Sequence, residues 1–153
     1  MSQLADALHW IAVTLWVGAL WAVGYIAAPV LFYFLDDRAL AGVLAGRMFG
    51  LVAYIGIGCG AYLLLFRLVR QGVYAFKQGF FWVTLAMLIL VLIGHFGVQP
   101  ILEGLKHQAL VKELAENMFK DRFGAWHGVA SVLYLMESVL GLVLVLLQAK
   151  AAP

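Results

Sequence analysis

The chain has 153 residues, of which 65% are hydrophobic and only 12% are charged, and its formal net charge is +2. A soluble domain carries about twice that charged fraction, so the composition indicates an integral membrane protein. Because apolar stretches use nearly the whole chain, we expect no separate soluble catalytic domain. The small net charge comes without a cluster of Lys and Arg, which gives no support for nucleic acid as a partner.

Four apolar stretches, residues 4–34, 44–66, 80–98 and 126–147, occupy most of the chain. Their lengths suit the ~20 residues that an α-helix needs to cross a bilayer. We therefore expect one all-α transmembrane domain over residues 1–153. Its fold should be an antiparallel four-helix bundle in direct contact with the lipid bilayer.

The first stretch begins without the basic residues of a cleavable signal peptide, so we expect it to remain as the first span. Gly18 and Ala22 lie four residues apart, which places them on one helix face where another helix can pack closely. Pro29 falls late in the stretch. A proline there predicts a kink, or an end of the helix with residues 30–34 at the interface.

The second stretch is rich in glycine, and this pattern predicts close helix packing. The alternative is a homodimer seam, so a second copy or another membrane protein is a candidate partner. Cys59 is the only cysteine, which excludes an internal disulfide. Gly42, Gly46 and Gly50 recur at four-residue spacing, and Gly56 and Gly60 follow them.

The third stretch should end at Pro100, because proline disfavours helix at the residue before it. The connection that follows is the longest in the chain. Its apolar residues recur near helical spacing and its charges pair along it. We expect an amphipathic helix over Leu105–Lys120 at the membrane surface, with Leu110 and Leu114 against the bundle or the headgroups.

Three histidines within or beside the spans are candidate ligands for a haem, such as haem b, or for a metal. The third span ends on the side where the fourth begins, so His95 and His127 should share one membrane face. His9 should lie toward the other face. The alternative is that each imidazole only forms a hydrogen bond at the interface.

The fourth stretch carries a polar stripe of Ser131, Tyr134, Glu137 and Ser138 at near-helical spacing. Polar and ionisable residues in a span usually face the bundle interior. We expect Ser131, Tyr134 and Ser138 to face other helices, and Glu137 to find a polar partner. Its role is either a hydrogen bond between helices or the handling of protons or ions.

An even number of spans puts both chain ends on one side, together with the short second connection. That connection carries Arg67, Arg70 and Lys77 without an acid. The opposite side carries six Lys and Arg residues, and raw counting under the positive-inside rule favours that side, but these six are spread over longer segments. We expect a bacterial inner-membrane protein with both termini cytoplasmic. Five tryptophans fall largely toward span ends, as in an interfacial belt: Trp10, Trp16, Trp21, Trp82 and Trp126.

Four segments resemble the small four-span family called domain of unknown function 4149, grouped with transmembrane protein 205. This resemblance implies the fold and no activity. The first of the segments also loosely resembles the first helix of membrane protoporphyrinogen oxidases and copper-resistance D-type proteins, which implies that His9 is a haem ligand. The segments are LHWIAVTLWVGAL (Leu8–Leu20), GRMFG (Gly46–Gly50), FGVQP (Phe96–Pro100) and FGAWHGVASVLYLMESVLGL (Phe123–Leu142).

Three functions stay open from the sequence. The first is a non-enzymatic accessory or regulatory component of a membrane complex, which fits the close packing and the lack of a catalytic motif. The second is a haem-binding redox protein that uses the histidines. The third is a small transporter or permease that uses the polar stripe.

Overall fold

The structure, a computed structural model, describes the backbone of residues 2–111 and 116–150 and the side chains of residues 3–38, 40–105 and 122–149. The described backbone is helical apart from short connections. Its helices are α1 (Ser2–Ala22), α2 (Ala28–Phe34), α3 (Arg38–Gln71), α4 (Gly79–Leu92), α5 (Gln99–Val111) and α6 (Glu116–Lys150).

Four helical segments among the described residues are long and apolar enough to cross a membrane. This confirms the predicted membrane bundle of four helices and makes the chain an integral, multi-pass membrane protein. The bundle is arranged as a ring in which α1 packs on α3, α3 on α4, α4 on α6, and α6 on α1. The segments are Gln3–Phe34, Leu40–Lys77, Gly79–Leu105 and Arg122–Ala149.

Both prolines inside the spans follow a π-helical turn, at Val23–Ala27 and Ile93–Val98. A proline ring clashes with the carbonyl four residues earlier and cannot donate a hydrogen bond. For Pro29 and Pro100 that carbonyl lies inside the wider turn, where hydrogen bonds reach back five residues. The chain therefore continues as helix through both prolines.

The expected end of the third span at Pro100 is thus wrong, and this changes the connection after it. Residues 105–111 belong to α5, which continues the third span, and residues 116–120 belong to α6, which continues into the fourth. The described part of Leu105–Lys120 is helical, as expected, and it is continuous with the spans on either side. The predicted packing of Leu110 and Leu114 lies outside the described side chains.

Local sequence signals mark both ends of α3. Asp37 precedes its first residue and accepts a hydrogen bond from the Leu40 amide at 3.1 Å, as an N-cap does. At the other end Gly72 has a φ of 54°. Glycine adopts this left-handed conformation without steric cost, and it ends the helix.

The core is built around Trp16, whose side chain is 0% exposed. Glycines on α3 make the room for it. A Cβ built on Gly56 would lie 2.6 Å from the Trp16 Nε1, and one on Gly60 would lie 3.0 Å from the ring edge. Gly24 gives the same room to Tyr134. By contrast, Gly18 faces nothing within 4 Å, so the expected contact at that residue is wrong.

Candidate functional site

The polar stripe on α6 faces α1 over most of its length. Glu137 is 7% exposed, and its Oε1 accepts a hydrogen bond from the Trp16 Nε1 at 3.3 Å. The Ser138 carbonyl accepts one from the Trp21 Nε1 at 3.3 Å. The Tyr134 hydroxyl donates to the Leu20 carbonyl. These bonds tie the first and last spans together through polar groups inside an apolar bundle.

Ser131 departs from the rest of the stripe. Its side chain is exposed, and its hydroxyl donates to the His127 carbonyl of the same helix at 2.9 Å. A serine can satisfy its hydroxyl in this way without another helix. The expectation that Ser131 faces a neighbouring helix is therefore wrong.

Trp16 is the residue of this region that the sequence interpretation misplaced. An interfacial belt would place it at the membrane surface, but it lies fully buried beside Glu137. Helical spacing along α1 indicates its burial, since Trp16 follows His9 by seven residues and precedes Leu20 by four. All three are buried and share one face of the helix.

His95 and His127 have different surroundings. The His95 Nδ1 is 3.1 Å from the Gln99 Oε1, and the Gln99 amide donates to the Gly46 carbonyl at 3.2 Å. The His95 ring also contacts Tyr54 edge to face. His127 is exposed and stacks on Phe123 of its own helix. No described contact joins the two imidazoles, and a shared ligand between them stays a prediction.

His9 lies toward the opposite end of the bundle. Its ring is 6% exposed and packs between Phe66 and Phe80, with centroid distances of 5.0 and 5.2 Å. Phe66 is twelve residues beyond Tyr54, the neighbour of His95 on α3. Twelve residues of α-helix span roughly 18 Å, so His9 and His95 do not share a ligand sphere.

A cavity of about 190 Å³ lies beside His9, and we call it the end pocket. It forms where the beginning of α1 meets the ends of α3 and α6. Asp6 and Gln148 both line it, so the beginning of α1 and the last turns of α6 lie at the same end of the bundle. The lining residues are Asp6, His9, Trp10, Phe66, Arg67, Arg70, Gln71 and Gln148.

Most of the buried side-chain polar atoms that lack a hydrogen-bond partner in the described residues belong to residues that line the end pocket. They are the His9 Nδ1, the Arg67 Nε, the Gln71 Oε1, and both amide atoms of Gln148. Gln148 is only 3% exposed. Buried polar groups are normally hydrogen-bonded, and an unpaired one costs about 1–3 kcal/mol. These five atoms belong to four residues that line one cavity, which indicates a site for a polar ligand or for ordered water.

The charges in the end pocket are unevenly paired. Arg70 forms an ion pair and hydrogen bond with Asp6. The Arg67 Nη1 donates to the neutral Gln78 Oε1 at 3.3 Å, and its guanidinium lies 4.3 Å from the centre of the Phe80 ring. Within the described residues no carboxylate pairs with Arg67. The pocket therefore holds one positive charge without a counter-charge.

The sequence predicts a ligand role for His9 but does not indicate the end pocket around it. Gln148 is eleven residues beyond Glu137, three turns along the same face of α6, and this spacing was the available signal. The described residues include no group of three or more His, Cys, Asp or Glu that could hold a metal ion.

Comparisons with known proteins assign the chain to a family. No curated protein and no solved structure matches the chain. One family model, described as Domain of unknown function (DUF4149), matches residues 11–111. The match includes Trp16, His95 and Arg67 and leaves out His9, Glu137 and Gln148. Since the matched segment is more than half of the chain, the protein belongs to the DUF4149 family.

Proposed function

We propose that this protein is a non-enzymatic accessory component of a membrane complex, and that it holds a small polar ligand in the end pocket. The observation that carries the proposal is that four residues lining one cavity bear five buried polar atoms without a hydrogen-bond partner. A bound ligand that forms hydrogen bonds with them offsets their desolvation cost.

The chemistry of the lining favours binding over conversion. Among the described lining residues none carries a hydroxyl or thiol nucleophile, and the carboxylate of Asp6 is engaged by Arg70. The volume of about 190 Å³ is below the ~300 Å³ typical of sites for drug-sized molecules. A headgroup or a small polar molecule suits it better than a macrocycle such as haem.

Native mass spectrometry of the protein released from its membranes in mild detergent tests this proposal. We expect a bound small molecule on the natural protein. His9→Phe keeps a ring between Phe66 and Phe80 but removes the polar atom, and Gln148→Leu removes both amide atoms. Both changes should reduce the bound fraction at least severalfold.

His127→Phe is the matched control, because His127 is exposed and lies outside the end pocket. It should bind as the natural protein does. If His9→Phe and Gln148→Leu fold and retain the same adducts as the control, the end pocket is not a ligand site and the proposal fails.

One feature of the molecule supports each of the other two functions, a small transporter and a haem-binding redox protein. Buried Glu137 and Tyr134 on the polar stripe support a small transporter, and His9, His95 and His127 support a haem protein. A Soret band after expression with haem supply would favour the haem protein over the accessory role. The proposed partner within the bilayer is a second copy or another membrane protein.

We further propose that both chain ends are cytoplasmic in a bacterial inner membrane. Asp6 and Gln148 line one pocket, which supports placing both ends on the same side. Fusions of a cytoplasmic fluorescent reporter at Ser2 and at Pro153 should both be active, and fusions of a periplasmic reporter should both be inactive. Opposite results at the two ends would contradict the even number of spans.

A further inference from the structure

We infer that the group recognised in the end pocket is a phosphate that also carries a hydroxyl, either free or in the headgroup of an anionic lipid. This inference rests on the proposed function, since it names the chemistry of the ligand for the same pocket. Charge, the types of unpartnered atoms, and the place of the pocket in the bundle each point to it.

The charge argument starts from Arg67. Two arginines and one aspartate line the pocket, and Asp6 neutralises Arg70. The remaining guanidinium is half-buried, and its described partners are the neutral Gln78 amide and the Phe80 ring. A guanidinium placed away from water is costly unless an anion pairs with it. An anionic ligand supplies that pair.

The unpartnered atoms include both donors and acceptors. Arg67 Nε and Gln148 Nε2 can only donate, so they suit the oxygens of an anion. Gln71 Oε1 and Gln148 Oε1 can only accept, so they need a ligand that also donates. A carboxylate satisfies the first pair alone. A phosphate with a P–OH group, or a phosphodiester with a hydroxyl-bearing headgroup, satisfies both.

The position of the pocket suits a lipid headgroup. It lies at the end of the bundle, where α3 leads into the short connection to α4. Trp10 lines the pocket and is 47% exposed, so the pocket reaches the outer surface of the helices. A tryptophan in this position is typical of the membrane interface. The phosphate of a lipid lies at this depth, with its acyl chains beside α1.

Binding of three probes to the full-length protein in maltoside micelles tests the inference. The probes are dioctanoyl phosphatidylglycerol, dioctanoyl phosphatidylcholine and inorganic phosphate. Phosphatidylglycerol carries both the phosphate and the hydroxyls, whereas phosphatidylcholine has a phosphate offset by a cation and no hydroxyl donor. We expect phosphatidylglycerol to bind at least tenfold more tightly than phosphatidylcholine, about the effect of one hydrogen bond to a charged group.

Arg67→Gln should raise the Kd for phosphatidylglycerol about tenfold or more. Arg47→Gln is the matched control, because it removes the same charge from an exposed position on the same helix. If Arg67→Gln does not fold, Arg67→Lys retains the charge but removes the Nε donor. Gln148→Leu, which changes no charge, gives an independent measure of the same contact.

The two sources of phosphate give different results. Binding of phosphatidylglycerol that inorganic phosphate displaces supports recognition of the phosphate itself. Binding without displacement supports a lipid headgroup. Equal affinity for both lipids, unchanged by Arg67→Gln, would overturn the inference. If His9→Phe still removes a native adduct in that case, the proposed function stands with an uncharged ligand. If it does not, both fail.

Discussion

Replacing Trp16 by alanine is expected to lower the free energy of unfolding by about 3–5 kcal/mol, the usual cost of truncating a buried large aromatic residue. The indole is 0% exposed, fills the space left by Gly56 and Gly60, and donates to Glu137. Unfolding of the purified protein in mixed micelles, followed by far-ultraviolet circular dichroism over an SDS titration, measures this loss.

Trp10→Ala is the control for this prediction, because Trp10 lies on the same helix and is 47% exposed. It should cost much less. Trp16→Phe, combined with Glu137→Leu in a double-mutant cycle, separates ring volume from the hydrogen bond. Polar contacts between membrane helices are worth about 0.6 kcal/mol on average, and we expect a coupling of about that size or more. Equal losses for Trp16→Ala and Trp10→Ala would mean that Trp16 is not the centre of the core.

Adding a single methyl group at Gly56 should lower the free energy of unfolding by about 1–3 kcal/mol, the usual range for overpacking. The new Cβ would lie 2.6 Å from the Trp16 Nε1 and 3.1 Å from its Cε2. Neither atom is the end of a flexible chain, so the whole indole must move, and its bond to Glu137 moves with it. The same SDS titration measures the effect of Gly56→Ala.

Gly58→Ala provides the matched control on the same helix. A Cβ at Gly58 meets nothing within 4 Å, so the change adds helix propensity without a clash. It should be neutral or stabilising by up to about 1 kcal/mol. If Gly56→Ala is as well tolerated as Gly58→Ala, then α1 and α3 are not held as closely as Trp16 and Gly56 indicate.

The number of the spans could be read from the sequence because it depends on local composition. To cross a bilayer, each apolar stretch must form the hydrogen bonds of its backbone N–H and C=O groups within its own helix. The predicted stretch 126–147 and the observed Arg122–Ala149 differ by only a few residues at each end. The local rule for proline failed at Pro100, since a π-helical turn accommodates the ring.

The site was only partly predictable for the same physical reason. The stripe spacing placed Tyr134, Glu137 and Ser138 on one face, because a helix repeats every 3.6 residues. Spacing within one helix does not identify the residue that it contacts on another helix, so the sequence pattern places Trp16 at the interface and not against Glu137. Ser131 shows the opposite error, because a side chain on a polar face can also be satisfied by its own helix.

Four membrane spans are predictable from the sequence alone, because apolar length requires nothing from the rest of the fold. The cavity lined by His9, Arg67 and Gln148 exists only in the folded bundle. These residues come from three helices and are separated by up to 139 positions. Their convergence depends on helix rotation and on close packing against glycine, and neither is encoded in any single segment.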